Sequence, residues 1–275
     1  MLNFESCKLA TSISTAGPDR NSNSSVVTTV VTIVAVMPGA QKVLVINPNS
    51  SQSMTDALKP ILSDLEHPGL ELDYFTGPAE LSPPSINDST TSILSAAHCF
   101  ERLRTEIVRE TSSHDAYLVA CFSDHPLVGM LREHTSKPVL GIFEASVMHA
   151  VALGQPFGIV TTGRHWEQAL TAGVARIFGS ADMGGMFAGV ESTWMTAGEL
   201  HTTSHHVVSE KISAATARLV ARGARTIIMG CAGMSGMEAA VRVGCSGVDA
   251  RVVDAVRSGV TSLEGLVKTQ NSRGD

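Results

Sequence analysis

Two cysteines occupy matching places in the two halves of this 275-residue chain. Cys121 ends the apolar run 117–120, and Cys231 ends the similar run 226–230. Both patterns predict a buried strand followed by a turn, so each thiol should lie at the carboxyl end of a strand. A lone cysteine in such a place is usually a core residue. Two cysteines at equivalent places instead predict a pair of opposed thiols.

Two opposed thiols suit the inversion of a stereocentre that lies next to a carbonyl group. One thiolate removes the proton from one face of the carbon, and a thiol on the other face returns a proton. Reacting atoms must lie about 3–3.5 Å apart, so we expect the two sulfurs roughly 7 Å from each other. Nearby helix starts should lower the thiol pKa values. Backbone amides around Phe122, Ser123, Ala232 and Gly233 would stabilise an enolate oxygen.

The elements that position these thiols form two similar units. Apolar runs alternate with amphipathic helices from Lys42 onward, which predicts an α/β fold with parallel sheets. The pattern restarts at Phe157. Asn47 precedes Cys121 by 74 residues, and Thr161 precedes Cys231 by 70. We therefore predict two flavodoxin-like subdomains related by a pseudo-twofold axis, with the active site in the cleft between them.

These patterns divide the chain into four parts. Residues 1–41 are rich in Ser and Thr and are expected to form a poorly ordered N-terminal extension. The first α/β half covers 42–153, the second covers 154–268, and 269–275 form a polar tail. The last helix is expected to pack back on the first half.

Composition excludes several classes of function. The net charge is −6 and the pI is about 5.9, so the chain lacks the basic surface of a nucleic-acid-binding protein. No run reaches the roughly 18 apolar residues that a membrane span needs. Five widely spaced cysteines indicate free thiols in a reducing compartment, which favours the cytoplasm. Neither C-x-x-C nor H-E-x-x-H occurs, so no metal site is predicted.

Three motifs carry a family resemblance. They are Val-Ile-Asn-Pro-Asn-Ser-Ser at 45–51, Cys-Phe-Ser-Asp at 121–124 and Gly-Cys-Ala-Gly-Met at 230–234. Occurring in this order and at this spacing, they resemble the hydantoin racemase branch of the aspartate/glutamate racemase superfamily. The segments 189–193 and 199–201 look like those of its fungal members. The resemblance covers about residues 42–268.

The resemblance implies a cofactor-independent racemase that acts on a small molecule with a hydantoin-like ring. Allantoin is the leading candidate, beside 5-substituted hydantoins. It also implies a homo-oligomer, and it implies Cys121 and Cys231 as the acid/base pair. The predicted substrate-binding residues are Asn47, Ser51, Phe122, Ser123, Thr162, Ala232 and Gly233.

Other interpretations stay open at this point. The same scaffold could decarboxylate a substituted malonate or isomerise a small unsaturated diacid, or it could bind a ligand or sense redox state without catalysis. Asn47, Ser51 and Thr162 could simply satisfy turns. Asp124 is predicted to cap the helix behind Cys121 and to oppose ionisation of that thiol, so Cys231 is predicted to be the resting thiolate.

Overall fold

The computed structural model describes residues 39–108, 112–179 and 183–270. Nearly all of the predicted extension 1–41, and the last residues of the predicted tail, therefore lie outside the described residues. The described residues from Gln41 onward belong to one compact unit. Its first strand begins at Gln41, and its last helix ends at Gln270.

The first half is a four-stranded parallel sheet with helices between its strands. Its strands are β1 (Gln41–Asn47), β2 (Leu70–Thr76), β3 (Ala116–Val119) and β4 (Val139–Gly141), in the order β2-β1-β3-β4. Its helices are α1 (Gln52–Leu62), α2 (Ser89–Val108), α3 (Pro126–Arg132) and α4 (Ile142–Ala152). The apolar residues of β1, β3 and β4 are buried, as expected for strands that are covered on both faces, whereas Tyr74 and Phe75 of the edge strand β2 are half-buried.

The second half repeats this plan. Its strands are β5 (Phe157–Thr161), β6 (Phe187–Ser192), β7 (Thr226–Met229) and β8 (Arg251–Asp254), in the order β6-β5-β7-β8. Its helices are α5 (His165–Phe178), α6 (Glu199–Thr202), α7 (His205–Ala221), α8 (Glu238–Gly244) and α9 (Ala255–Gln270). All neighbouring strands in both sheets are parallel. The predicted α/β fold of two similar parallel-sheet halves is confirmed.

A shared core joins the two halves. One cluster of buried residues includes Val45 and Leu118 from the first sheet together with Ile159 and Ile228 from the second. Helix α9 follows the last strand of the second sheet but packs against α4, β1 and β3. This contact is close, because a Cβ added at Gly259 would lie 2.5 Å from Leu118 Cδ1. Apolar packing between the two halves thus holds the two sides of the cleft together.

Candidate active site

The two cysteines follow structurally equivalent strands and lie in one cavity between the halves. Cys121 follows β3, and Cys231 follows β7. The residue before each cysteine makes the same backbone bond: Ala120 N–H donates to Ile46 O (2.8 Å), and Gly230 N–H donates to Val160 O (2.7 Å). Both thiols line a cavity of about 220 Å³. The carboxyl ends of the parallel strands therefore bring together two thiols that are 110 positions apart in the sequence.

The rest of the cavity wall is mostly apolar and carries no charge. Helix α1 contributes one apolar side, and the end of β1, loops from both halves and the start of α5 contribute the rest. The lining residues are Asn47, Asn49, Met54, Ala57, Leu58, Ile61, Ile86, Ala120, Cys121, Phe122, Thr162, Trp166, Ala197, Gly230, Cys231, Ala232, Gly233, Ser235 and Met237. Among the described residues, no Lys, Arg, His, Asp or Glu lines this cavity. An ionic substrate would find no counter-charge there.

Burial dominates the ionisation of the Cys121 thiol. It raises the pKa of Cys121 to about 12, a hydrogen bond with Ser123 opposes that rise, and the neighbouring Cys231 adds to it. The Cys121 Sγ and the Ser123 Oγ lie 3.5 Å apart. The side chain is only partly exposed, so water solvates its thiolate poorly.

The Cys231 thiol lies in a different backbone environment. Cys231 immediately precedes the 3-10 turn Ala232–Met234. Burial raises the pKa of Cys231 to about 11, while the backbone N–H groups of Gly233 and Met234 lower it by hydrogen bonding. The predicted lowering of both thiol pKa values is therefore wrong for the free protein. The amides do favour the thiolate, but loss of water around the sulfur outweighs them.

The predicted effect of Asp124 is also wrong. Helix α3 begins at Pro126 and is capped by His125, whose Nδ1 accepts a hydrogen bond from Leu127 N–H (3.3 Å). Asp124 instead forms an ion pair with Arg176 of α5 on the protein surface. Its charge is therefore paired, and it is not among the causes of the raised Cys121 pKa.

Five of the seven predicted substrate-binding residues line the cavity, and two do not. Asn47, Phe122, Thr162, Ala232 and Gly233 are part of its wall. Ser51 lies outside, with its Oγ 2.9 Å from Ser53 Oγ. Ser123 contacts the Cys121 sulfur from outside the cavity.

Two of the backbone amides predicted to stabilise an enolate already have partners. Ser123 N–H donates to Cys121 O (3.0 Å), and the N–H of Gly233 favours the Cys231 thiolate and lowers the pKa of that thiol. Phe122 and Ala232 also line the cavity, so their N–H groups are the candidates that remain from the predicted set.

Sequence reasoning missed most of the apolar wall and two polar groups. The missed polar groups are Asn49 and Ser235, which lie within or next to the recognised motifs. That proximity is a signal that could have found them. Ile86 and Trp166 come from a loop and from the start of α5, and nothing in their local sequence distinguishes them from core residues.

Comparison with known proteins identifies the family. The family model described as Asp/Glu/hydantoin racemase matches residues 43–263. The chain belongs to this family. An uncharacterized protein of Schizosaccharomyces pombe is 36% identical over 228 residues, which are 82% of this chain and 92% of that protein. The hydantoin racemase of Paenarthrobacter aurescens is 26% identical over 226 residues, which are 82% of this chain and 91% of that protein.

Comparison with solved structures agrees with this family assignment. The allantoin racemase of Pseudomonas fluorescens superposes with a TM-score of 0.72 at 25% identity, covering 84% of this chain and 92% of that one. This racemase-family chain is thus an isomerase with the two-subdomain fold of its relatives. Among the residues that the structure describes, no cluster of His, Cys, Asp or Glu could hold a metal ion. No helix in the same part of the chain is long and apolar enough to span a membrane.

Proposed function

We propose that this protein racemises a neutral hydantoin-like ring, either allantoin or a 5-substituted hydantoin, by proton transfer between two thiols. Cys121 and Cys231 act on opposite faces of the carbon that lies between a ring nitrogen and a carbonyl group. No cofactor takes part in the proposed reaction. The observation that carries the proposal is that both thiols line one cavity whose described wall holds no charged side chain.

The uncharged wall favours this substrate over the two alternatives on the same scaffold. A substituted malonate or an unsaturated diacid carries two carboxylates at neutral pH. Moving a carboxylate into a partly buried site without a cationic partner costs on the order of several kcal/mol, because the carboxylate loses its hydration. A hydantoin ring is neutral, and its carbonyl and N–H groups need only hydrogen-bond partners. Asn49, Thr162 and Ser235 supply such groups in the cavity wall.

The proposed reaction moves one proton off the carbon and one proton onto it. The thiolate of one cysteine takes the proton from the near face, and the electron pair moves onto the neighbouring carbonyl oxygen. The thiol of the other cysteine then donates its proton to the far face. The two cysteines have exchanged roles at the end, so the reverse reaction starts from the opposite enantiomer. N–H groups of Phe122 and Ala232 are the backbone candidates to stabilise the negative oxygen.

A substrate panel tests this proposal. Purified protein is incubated with (R)- and (S)-allantoin, with 5-substituted hydantoins, and with phenylmalonate and maleate as dianionic comparisons. We expect loss of optical rotation with at least one hydantoin-type ring and no turnover of either dianion. Cys121→Ala and Cys231→Ala should each lose at least about 10³-fold in racemisation, within the usual range for removal of a general acid or base. Turnover of a dianion with inert hydantoins would contradict the proposal.

We further propose that the protein works in the cytoplasm. The reaction needs both thiols reduced, and disulfides are rare in reducing compartments. Fluorescence microscopy of the tagged protein at native expression level tests this placement. Accumulation in a secretory compartment would argue against it.

A further inference from the structure

Asn47, the last residue of β1, and Asn49, in the loop that leads to α1, both line the cavity, and only one of them has a donor group to spare. Asn47 and Asn49 are both buried, at 4% and 9% exposure. Their side-chain amides are chemically identical, so their hydrogen-bond partners decide which of them can serve a substrate.

The Asn47 amide is committed to holding the loop. Its Nδ2 lies 2.9 Å from Asn49 Oδ1, 3.0 Å from Thr55 Oγ1 and 3.2 Å from Ser51 O. An amide NH₂ has two hydrogens, so three acceptors already exceed what it can donate. Thr55 Oγ1 in turn lies 2.7 Å from Thr76 Oγ1, which ties the loop to the end of β2. Asn47 therefore organises the loop.

The orientation of the Asn49 amide follows from its neighbours. Ser51 N–H lies 2.9 Å from Asn49 Oδ1, and a backbone N–H can only donate. The oxygen of Asn49 must therefore face Ser51 and Asn47, and its Nδ2 must face the other way. There the Nδ2 lies 3.3 Å from Met54 Sδ. A thioether is a weak acceptor, so this NH₂ group is buried at the cavity wall with little to bind.

We propose that Asn49 Nδ2 donates a hydrogen bond to a carbonyl oxygen of the bound ring. This assignment rests on the proposed racemisation of a hydantoin-like ring. When the carbon loses its proton, negative charge grows on the carbonyl oxygen, and a hydrogen bond to a charged acceptor is stronger than one to a neutral acceptor. The Asn49 bond therefore strengthens in the transition state, which gives Asn49 an effect on kcat as well as on KM.

The test is Asn49→Asp, because this change keeps the shape and the loop contacts. The carboxylate still offers an oxygen to Ser51 N–H and Asn47 Nδ2, but it replaces the donor at the cavity wall by a negative oxygen. We expect kcat/KM for hydantoin racemisation to fall at least about 100-fold, mostly through kcat, as when one donor to a developing oxyanion is removed. Gln168→Glu is the matched control, because it adds the same charge to an exposed residue of α5 outside the cavity, and it should retain the wild-type rate.

Asn47→Asp separates substrate binding from loop structure. This variant loses donors to three loop and helix acceptors, so its melting temperature should fall below that of Asn49→Asp. The Asn49 proposal is wrong if Asn49→Asp keeps the wild-type kcat and KM. It is also wrong if the fraction of activity that this variant loses equals the fraction of it that is unfolded at the assay temperature.

Calorimetric titration with 5,5-dimethylhydantoin, which has no exchangeable proton at that carbon, distinguishes the two proposals. We expect wild type to bind this analogue about tenfold more tightly than Asn49→Asp, the equivalent of one hydrogen bond. Equal binding and equal turnover in both proteins contradict the Asn49 assignment alone. A wild-type protein that neither binds nor racemises any hydantoin contradicts the proposed function, and the Asn49 assignment with it.

Discussion

The two halves of the molecule have the same strand order but treat their cysteines differently. Each cysteine follows the strand that is third in chain order within its half, and the residue before it bonds to the neighbouring strand in the same way. The Ser123 hydroxyl contacts the Cys121 sulfur, whereas two backbone N–H groups lower the pKa of Cys231. Burial raises both pKa values, to about 12 for Cys121 and about 11 for Cys231. A repeated scaffold has thus given the two thiols different hydrogen-bond partners, and the backbone amides favour Cys231 as the first to ionise.

Substitution of the residue before each cysteine should give the largest difference in stability between the two halves. A Cβ at Gly230 would lie 2.6 Å from Val160 O and 2.7 Å from Ile159 Cγ2, and a backbone oxygen cannot move aside cheaply. We expect Gly230→Ala to lower the free energy of unfolding by about 2–3 kcal/mol, as overpacking in a core does. The reciprocal change, Ala120→Gly, should cost about 1–2 kcal/mol, through backbone entropy and the loss of a buried methyl group. Denaturant unfolding measures both, and equal losses would contradict the asymmetry.

Much of the fold was predictable from sequence because it rests on local patterns. Continuous apolar runs and their polar turns located the strands, and the restart at Phe157 revealed the repeat. Once the carboxyl ends of parallel strands are known to face one edge, Cys121 and Cys231 are expected at one site. The matching bonds of Ala120 and Gly230 give that expectation its geometric basis.

The rest of the site depends on contacts that sequence spacing does not reveal. Asp124 meets Arg176 across 52 positions of the chain, so its role as a helix cap could not be ruled out locally. The thiol pKa values depend on how much water the folded cleft admits, which no motif encodes. The choice of Asn49 over Asn47 depends on which way an amide faces, and that direction is fixed only by the loop's hydrogen bonds.

Alkylation kinetics test the difference between the thiols. Only the thiolate reacts, and the backbone amides of Gly233 and Met234 favour ionisation of Cys231, so Cys231 should be alkylated by iodoacetamide severalfold faster than Cys121 at pH 9. Ser123→Ala removes a bond that lowers the Cys121 pKa, so it should slow Cys121 further and leave Cys231 unchanged. Peptide mass spectrometry gives both rates. Faster labelling of Cys121 would reverse the assignment of the resting base.

Alkaline stability should show a smaller effect of the same burial. The folded-state pKa values of both thiols lie above the ordinary value of 9.0, so the unfolded chain loses these protons first as pH rises. The two protonated thiols contribute their full stabilising free energy below about pH 9. This contribution is lost as the pH rises from about 9 to about 11 to 12. The double variant Cys121→Ala/Cys231→Ala should therefore lose less free energy of unfolding per pH unit than wild type between pH 8.5 and 10.5. Urea unfolding measures both slopes. Cys99, whose pKa burial also raises to about 12, keeps part of the slope in both proteins. Parallel slopes would argue against desolvated thiols.

Deuterium exchange in single-cysteine variants tests the two-thiol account most directly. Cys121→Ala and Cys231→Ala are each incubated in deuterium oxide with the separate enantiomers of a racemised hydantoin, and exchange without protein is subtracted. Each variant keeps a thiol on one face only. We predict that each exchanges the carbon-bound proton of one enantiomer with retention of configuration, and that the two variants choose opposite enantiomers. Inversion at the wild-type rate in either variant, or the same enantiomer chosen by both, would contradict the account.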